Sequence, residues 1–405
     1  MRIAITGATG LLGRNLLFEI LKQYVNKLNE IEVVVFGRSG KYSSFSKRVL
    51  DILQNDGLDY IGVEEQQKKH FLQELEKRII NIEFDLKNDD LGIDNSSLKL
   101  LKSKKIDYFF HLAAMSDFRK TPNTREKLYN INVDGTNRIL KMVKSLDVGL
   151  FIYTGTAFSF GSCKNVIDPD YVNKRESFNN YYEETKLLAE ASVREEVEKS
   201  KINYLIFRPV SICGRLIERP YGKTTKYDIF YGWANFFFRI KLDLIKNLDN
   251  VYSTKVDMPI RIACKLSSTM NVIPADYAAK IMLNACFNKH NNMSIHLMND
   301  SEISNNLFTQ IILEKVGVTG ITFCSAIPEK MDNDLEKLYY KTVGEIYSPY
   351  LLSDNIRFDS SSLNLVREHS EITAPKIDKS NFTVLLQYAM DDYFGIKRKQ
   401  NFKEA

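Results

Sequence analysis

The chain opens with a short apolar strand, three evenly spaced glycines and an amphipathic helix. The strand covers Arg2 to Ile5, and the glycines are Gly7, Gly10 and Gly13. The first glycine permits a tight turn, the second lets the backbone approach a phosphate, and the third lets the helix pack closely on the strand. Such a helix N-terminus binds the pyrophosphate of a dinucleotide, so we expect a cofactor site here. Its predicted residues are Thr6, Gly7, Thr9, Gly10, Leu11, Leu12 and Gly13.

The glycine spacing alone also fits a plain strand-to-helix turn that binds no cofactor. The order of the segments that follow favours the cofactor site. Short apolar runs alternate with segments of helical length, and such strands pair in parallel through right-handed crossovers. The first two thirds of the chain is therefore expected to be α/β, a doubly wound parallel sheet of the Rossmann type. The predicted strands after the first are Ile31 to Phe36, Ile79 to Phe84, Ile106 to Leu112, Leu150 to Thr154 and Tyr204 to Arg208.

Two segments depart from this alternation. Residues 42–78 form a long insertion that is expected to be helical, and residues 214–259 are rich in aromatic side chains. The pattern then resumes, and the predicted elements are a strand at Met270 to Ile273, a helix from Pro274 through Met282 and a strand at Ser294 to Met298. We therefore expect a cofactor-binding domain and a smaller, discontinuous substrate-binding lobe. The domain is assigned residues 1–213 and 262–300, and the lobe residues 214–261 and 301–405.

The composition is that of an ordinary globular protein. The 405 residues are 44% hydrophobic and 26% charged, and the first residue leads directly into a core strand rather than a signal peptide. No apolar run approaches the roughly 18 residues that span a bilayer, so we expect a cytoplasmic protein without stable membrane insertion. The net charge of +5 comes from 56 basic and 51 acidic side chains spread along the chain, which does not favour a nucleic-acid partner.

Five cysteines without close spacing predict reduced thiols, and the pattern of Cys and His residues suggests no metal site.

A tyrosine and a lysine four residues apart are the first candidates for chemistry. Tyr182 and Lys186 share one face of a predicted helix, where a fixed cation favours ionisation of a nearby phenol. Such a pair is also common on helix surfaces. Thr156, however, follows the strand that begins near Leu150, at the sheet edge where ligands bind in open α/β sheets. We expect Thr156 to hydrogen-bond a substrate carbonyl oxygen and Tyr182 to deliver a proton to it.

In this order the motifs resemble those of the extended short-chain dehydrogenase/reductases, over about the first 210 residues. The matching features are the glycine turn, Asp85-Leu86, His111-Leu112-Ala113-Ala114, Asn132-Val133-Asp134-Gly135-Thr136, Thr156, Tyr182 with Lys186, and Arg208-Pro209. The resemblance implies an NAD(P)-dependent oxidoreductase with Thr156, Tyr182 and Lys186 as catalytic residues.

The same resemblance implies further cofactor contacts. Asp85 is expected at the adenine amino group with Leu86 against the ring, and Lys186 at the nicotinamide ribose. Ala113 and Ala114 are expected to let the backbone approach the cofactor. Pro209 is the last of the cofactor-binding residues that the resemblance implies. His111 is expected to be a hydrogen-bonded core histidine.

The end of the second predicted strand indicates which nicotinamide cofactor binds. An acidic side chain there accepts from the ribose 2′-hydroxyl of NAD, whereas an arginine accommodates the 2′-phosphate of NADP. Arg38 stands at this position, with Lys47 and Arg48 nearby as possible helpers, so we expect NADPH. A solvent-facing charge is the alternative interpretation of Arg38.

Several details resemble the thioester reductase and fatty acyl-CoA reductase branch, the male-sterility group. They are the insertion after Arg38, the segment His111 to Phe118, threonine at 156, the segment Val272 to Tyr277 and, more loosely, Tyr347 to Leu351 with Phe358-Asp359. This likeness implies reduction of an acyl thioester, on CoA or a carrier protein, to an aldehyde or alcohol. Gly155 departs from the serine common in the branch, which puts in doubt how the substrate is held.

The aromatic residues between 221 and 240 can be interpreted in three ways. They can wall an apolar substrate pocket, form the core of the smaller lobe, or belong to an interfacial membrane helix.

Two other functions fit the same motifs. A nucleotide-sugar epimerase, dehydratase or reductase uses the same catalytic residue types, but commonly carries an acidic residue where Arg38 stands. A non-catalytic NADP-binding sensor typically lacks the tyrosine or the lysine, and this chain keeps both. The sequence leaves the substrate and the oligomeric state open.

Overall fold

Seven of the strands that the structure describes join one parallel sheet, which draws on residues from Arg2 to Leu297. In the computed structural model, which describes residues 1–163, 165–247, 250–368 and 370–396, each predicted strand is present within two residues of its expected ends, apart from one near 270. The strands are β1 (Arg2–Thr6), β2 (Glu32–Gly37), β3 (Ile79–Glu83), β4 (Ile106–His111), β5 (Val148–Thr154), β6 (Tyr204–Pro209), β7 (Ser211–Cys213), β8 (Val256–Ala263), β9 (Thr269–Met270), β10 (Val272–Pro274), β11 (Met293–Leu297), β12 (Ile303–Ser304) and β13 (Val318–Cys324).

The main sheet has seven strands in the order β11-β6-β5-β4-β1-β2-β3. Every neighbouring pair in it is parallel. Its central strands read as almost continuous apolar runs, such as Ile3 to Ile5 and Val33 to Val35, because helices cover both faces of a doubly wound sheet. The predicted fold class is therefore confirmed.

Helices fill the connections between these strands. They are α1 (Leu11–Gln23), α2 (Phe45–Ile52), α3 (Leu58–Ile61), α4 (Lys68–Glu76), α5 (Asn95–Lys102), α6 (Pro122–Leu128), α7 (Gly135–Val143), α8 (Tyr181–Ser200), α9 (Phe230–Ile245), α10 (Ala275–Phe287), α11 (Asn305–Val316), α12 (Asp334–Lys341), α13 (Val343–Leu351), α14 (Ser361–Arg367) and α15 (Lys379–Asp391). The predicted helical character of the insertion at 42–78 is confirmed by α2, α3 and α4. The helix predicted through Met282 continues to Phe287.

The single strand predicted at Met270 to Ile273 is wrong. The chain forms two short strands there, with Asn271 between them; β9 pairs with β12 and β10 pairs with β7. The side chain of Asn271 explains the break, because its Nδ2 donates to Asn299 O and its Oδ1 accepts from Asn299 N, each at 2.9 Å. A side chain that binds the backbone of another loop ends a regular ladder locally.

A second hydrophobic core lies among helices α9, α11, α13 and α15, with Trp233 and Phe237 among its buried members. Helix α14, although late in the chain, places Leu363 and Val366 in the core of the parallel sheet. The division into residues 1–213 with 262–300 and residues 214–261 with 301–405 stays a prediction. Among the described residues, no helix has the length and hydrophobicity needed to cross a bilayer.

Candidate active site

The glycine turn after β1 is tightly packed against neighbouring backbone. Gly7 has a φ of +77°, and a Cβ on it would lie 2.8 Å from the backbone nitrogen of Ala113. A Cβ on Gly13 would lie 2.1 Å from the carbonyl oxygen of Gly7. Only glycine fits at these two positions, as the sequence argument expected. Gly10 is the N-cap of α1, so the unpaired N–H groups of the first helical turn face the space beyond the turn.

A chain of hydrogen bonds joins the glycine turn to the end of β4. His111 Nδ1 lies 2.9 Å from Thr6 Oγ1, and its Nε2 lies 3.1 Å from Thr136 Oγ1. Thr6 Oγ1 also accepts from the backbone N–H of Ala113 at 3.2 Å. Burial, followed by the charge of Lys186, lowers the pKa of His111 to about 3. The expectation of a hydrogen-bonded core histidine is confirmed.

Asn132 is a positioning residue to which the motif search gave no role. It is buried in the π-helical segment Tyr129–Asp134 that joins α6 to α7, where its amide binds both the N–H and the carbonyl of Met115, at 2.8 and 3.0 Å. The same amide donates to Thr185 Oγ1 at 3.2 Å. Asn132 therefore holds the segment after β4 against helix α8. In the sequence, only the Asn-Val-Asp-Gly-Thr run points to Asn132.

Helix α8 is anchored to the sheet by a buried ion pair. Glu190 and Arg208 are both fully buried, and Arg208 Nη2 lies 2.7 Å from Glu190 Oε1. A Cβ on Gly155 would lie 2.8 Å from Glu190 Oε2. A side chain at 155 would therefore displace this carboxylate.

Thr156, Tyr182 and Lys186 line one cavity of about 430 Å³. Lys186 is 4% exposed, and its Nζ donates to Thr154 O at 2.6 Å and lies 4.5 Å from the ring centre of Tyr153. Burial lowers the pKa of Lys186 to about 7, against the opposing charge of Glu190. An ammonium has three donors, so this lysine can bind further acceptors in the cavity.

The pKa of Tyr182 is raised, chiefly by burial and then by the charge of Asp228, while a hydrogen bond with Thr156 opposes the rise. This direction is opposite to the lowering of the pKa by Lys186 that was predicted from the sequence, because burial dominates. The phenol therefore stays protonated at neutral pH, and Thr156 is the hydroxyl beside it.

Three residues that were not predicted from the sequence also line the cavity: Lys226, Asp228 and Ser116. Lys226 forms an ion pair with Asp228, and its Nζ donates to Ser116 Oγ at 2.5 Å. No motif marks them, because residues 110 positions apart meet only in the fold.

The predicted cofactor residues fall into two groups. Those that line the cavity are Gly7, Gly10, Leu11, Leu12, Gly13, Ala114, Lys186 and Pro209. Those outside its lining are Thr6, Thr9, Arg38, Asp85, Leu86 and Ala113. Arg38 and Asp85 lie together at the ends of β2 and β3, with Nη1 of the arginine 3.5 Å from the carboxylate, and the arginine side chain is 57% exposed. The roles of Arg38 and Asp85 in binding the adenosine half of a dinucleotide remain predictions.

The residues present fit a nicotinamide dinucleotide. The glycine turn forms a cradle that a Cβ would fill, and it opens into the same cavity as the buried ammonium of Lys186. The seven-stranded parallel sheet with this site at its edge has the architecture of the extended short-chain dehydrogenase/reductases. The model of the male sterility protein family matches residues 5–282, and the chain belongs to that family.

One curated relative is fatty acyl-CoA reductase 1 of Pongo abelii, which is 24% identical over 292 residues. The match covers 65% of this chain and 53% of that protein, so the chain spans about half the length of this relative.

Two solved structures share the fold. The terminal R domain from the myxalamid PKS-NRPS biosynthetic pathway has a TM-score of 0.71 at 18% identity, covering 97% of this chain and 91% of that one. A thiolation-reductase di-domain from an archaeal non-ribosomal peptide synthetase has a TM-score of 0.63 at 20% identity, covering 97% and 76%.

Proposed function

We propose that this protein uses NADPH to reduce an acyl thioester to an aldehyde or alcohol. The observation that carries the proposal is a single cavity that extends from the glycine turn, past Thr156, Tyr182 and Lys186, to a set of apolar side chains. Fatty acyl-CoA reductases and a thiolation-reductase di-domain among the similar proteins support an acyl group carried on CoA or on a carrier protein.

The chemistry assigned to this chain is proton transfer and orientation. A reduced nicotinamide, if bound in the cavity beside these residues, would supply the hydride to the carbonyl carbon. Thr156 donates a hydrogen bond to the carbonyl oxygen, and Tyr182 donates its proton as negative charge develops there. Lys186 binds the ribose hydroxyls with the donors that Thr154 leaves available. A thioester first gives a hemithioacetal, which loses its thiol to give an aldehyde; a second reduction would give an alcohol.

Arg38 is assigned to the 2′-phosphate of NADPH. It stands at the end of β2 and is mostly exposed, so its guanidinium is accessible to a bound dianion. We expect NADPH to bind at least about tenfold more tightly than NADH, roughly 1.4 kcal/mol, and Arg38→Ala to remove the difference by weakening NADPH alone. Titration of both cofactors measures this.

The control for Arg38 is Lys41→Ala, which removes an exposed cation three residues further along the chain. It should leave both affinities within about twofold of the unaltered protein. Equal affinities for the two cofactors in the unaltered protein would remove Arg38 from its role.

The apolar walls of the cavity are assigned to the acyl chain. Phe230 and Trp233 are the members of the aromatic segment that line the cavity, whereas the remaining buried aromatics of α9 pack in the second core. Trp233→Ala should therefore weaken long-chain thioesters more than short ones, because each buried methylene is worth about 0.8 kcal/mol. A chain-length series of kcat/KM measures the effect.

Phe237→Ala is the matched control for Trp233. The two rings pack 4.7 Å apart, but Phe237 is fully buried and does not line the cavity. Both variants should melt at lower temperature, since each loses a large core side chain. Only Trp233→Ala should change the dependence on chain length; a uniform loss in both variants would assign Trp233 to the core alone.

A substrate screen tests the proposal as a whole. NADPH oxidation is measured with acyl-CoAs, carrier-bound acyl groups, free aldehydes and nucleotide sugars. Turnover of the thioesters supports the proposal. Activity confined to nucleotide sugars would assign the site to epimerase-type chemistry, and cofactor binding without any turnover would indicate a sensor.

A further inference from the structure

Helix α13 binds the first turn of the helix that carries Tyr182. The hydroxyl of Tyr350, on α13, accepts from Asn180 Nδ2 at 2.7 Å and donates to Glu183 Oε1 at 2.5 Å. Asn180 is the N-cap of α8, and its Oδ1 accepts from the backbone N–H of Glu183 at 3.0 Å. Together with the backbone N–H of Glu183, these side chains form a closed ring of hydrogen bonds at residues 180–183, the turn that carries Tyr182.

Glu183, the residue after the proposed proton donor, is unusual for a glutamate because its side chain is buried, with only 1% exposed. Burial raises the pKa of its carboxyl group to about 7, while hydrogen bonds from Tyr350 and Asn179 and the charge of Lys120 favour the ionised form. A buried carboxylate is tolerated only where such donors satisfy it. Since Glu183 has no part in the proposed proton transfer, its burial indicates a role in fixing the turn.

The ring of Tyr350 contacts the other side of the site. It packs edge-on against Phe158 with the ring centres 5.9 Å apart, and both side chains line the cavity. The backbone N–H of Phe158 donates to Thr156 Oγ1 at 3.3 Å. Tyr350 therefore touches the Thr156 segment with its ring and the Tyr182 turn with its hydroxyl.

We infer that Tyr350 is a positioning residue, which sets Tyr182 and Thr156 in register through its hydrogen bonds to Glu183 and Asn180. It lies outside the residues matched by the family model, which end at 282. The inference rests on the proposed function for its kinetic consequence, but the hydrogen-bonded ring can be tested without any substrate.

Tyr350→Phe keeps the ring and removes both hydrogen bonds. We expect kcat for the thioester to fall by about tenfold, while KM and the affinity for NADPH change by less than about twofold, since the alignment of the proton donor is lost and binding contacts are kept. Glu183→Leu removes the acceptor oxygens and so breaks the same link from the other side. The double variant should be no slower than the slower single variant, because both changes remove the hydrogen bond between Tyr350 and Glu183.

Tyr340→Phe is the matched control. Tyr340 also makes two hydrogen bonds, to Arg261 O and from Ala263 N at 2.9 Å each, but on helix α12 and outside the cavity lining. It should lower stability without separating kcat from KM. Equal kinetic losses in Tyr340→Phe and Tyr350→Phe, or additive losses in the double variant, would overturn the inference.

Amide hydrogen exchange separates this inference from the proposed function. In the protein without substrate, Tyr350→Phe should speed exchange at residues 181–186 by about tenfold, and Tyr340→Phe should not. Unchanged exchange at these residues would overturn the inference even if thioesters are reduced. Faster exchange in a protein that reduces no thioester would support the positioning role and contradict the proposed substrate.

Discussion

Tyr182→Phe is expected to lower kcat by about a hundredfold or more while leaving the affinity for NADPH nearly unchanged. The substitution removes only the hydroxyl, whose raised pKa keeps it protonated and able to donate at neutral pH. Its loss leaves the developing oxyanion with Thr156 as its only proposed hydrogen-bond donor. The measurement is steady-state turnover of a thioester alongside a cofactor titration.

Tyr181→Phe is the control for this prediction. Tyr181 precedes Tyr182 on the same helical turn, and its ring packs against Arg125 rather than lining the cavity. Its loss of a hydroxyl should leave kcat within about twofold. Near-normal turnover in Tyr182→Phe would show that another group supplies the proton.

Lys186→Met is expected to lower kcat by about a hundredfold or more and to weaken NADPH, because it removes both the cation beside the reacting groups and the ribose contact. The same substitution should stabilise the cofactor-free protein at neutral pH. Burial holds the pKa of Lys186 at about 7, far below the roughly 10.4 of an unfolded lysine.

The sign of the pH dependence follows from proton binding. Between these two pKa values the unfolded chain binds the extra proton and the folded protein does not, so wild-type stability rises with pH. The advantage of Lys186→Met in free energy of unfolding should be largest near pH 7 and below. It should shrink by more than about 1 kcal/mol by pH 9.

Lys241→Met serves as its control. Lys241 is also buried, its Nζ binds the carbonyl of Val316, and burial lowers its pKa. Its variant should show the same direction of pH-dependent stability with normal turnover and cofactor binding. A Lys186→Met protein with normal turnover would contradict the assigned role.

Local motifs predicted the parts of this site that depend on neighbouring residues. The positive φ of Gly7 and the close approach of Gly13 to the Gly7 carbonyl arise within a turn of seven residues, and the buried His111 lies at the end of one strand, so these features could be predicted from the sequence. The strand at 270–273 was predicted incorrectly because the side chain of Asn271 binds the backbone of a distant loop. Periodicity carries no information about such a contact.

Long-range contacts account for what the sequence left out. Tyr350 meets Asn180 across 170 residues, and Asp228 faces Tyr182 from the segment before α9. The pKa of Tyr182 was expected to fall because Lys186, four residues further along, can be read from the sequence. The burial that raises this pKa depends on the fold and cannot. Trp233 was left open between pocket and core, and in the structure it lies in both.

Deuterium transfer from labelled NADPH to an acyl thioester tests the central claim most directly. Reduced cofactor carrying deuterium at the transferable position is incubated with the enzyme and a long-chain acyl-CoA, and in parallel with the same acyl group on a carrier protein. We expect an aldehyde or alcohol that carries deuterium at the former carbonyl carbon, with release of the free thiol. A product without the label, or no reduced acyl product from either thioester, would contradict it.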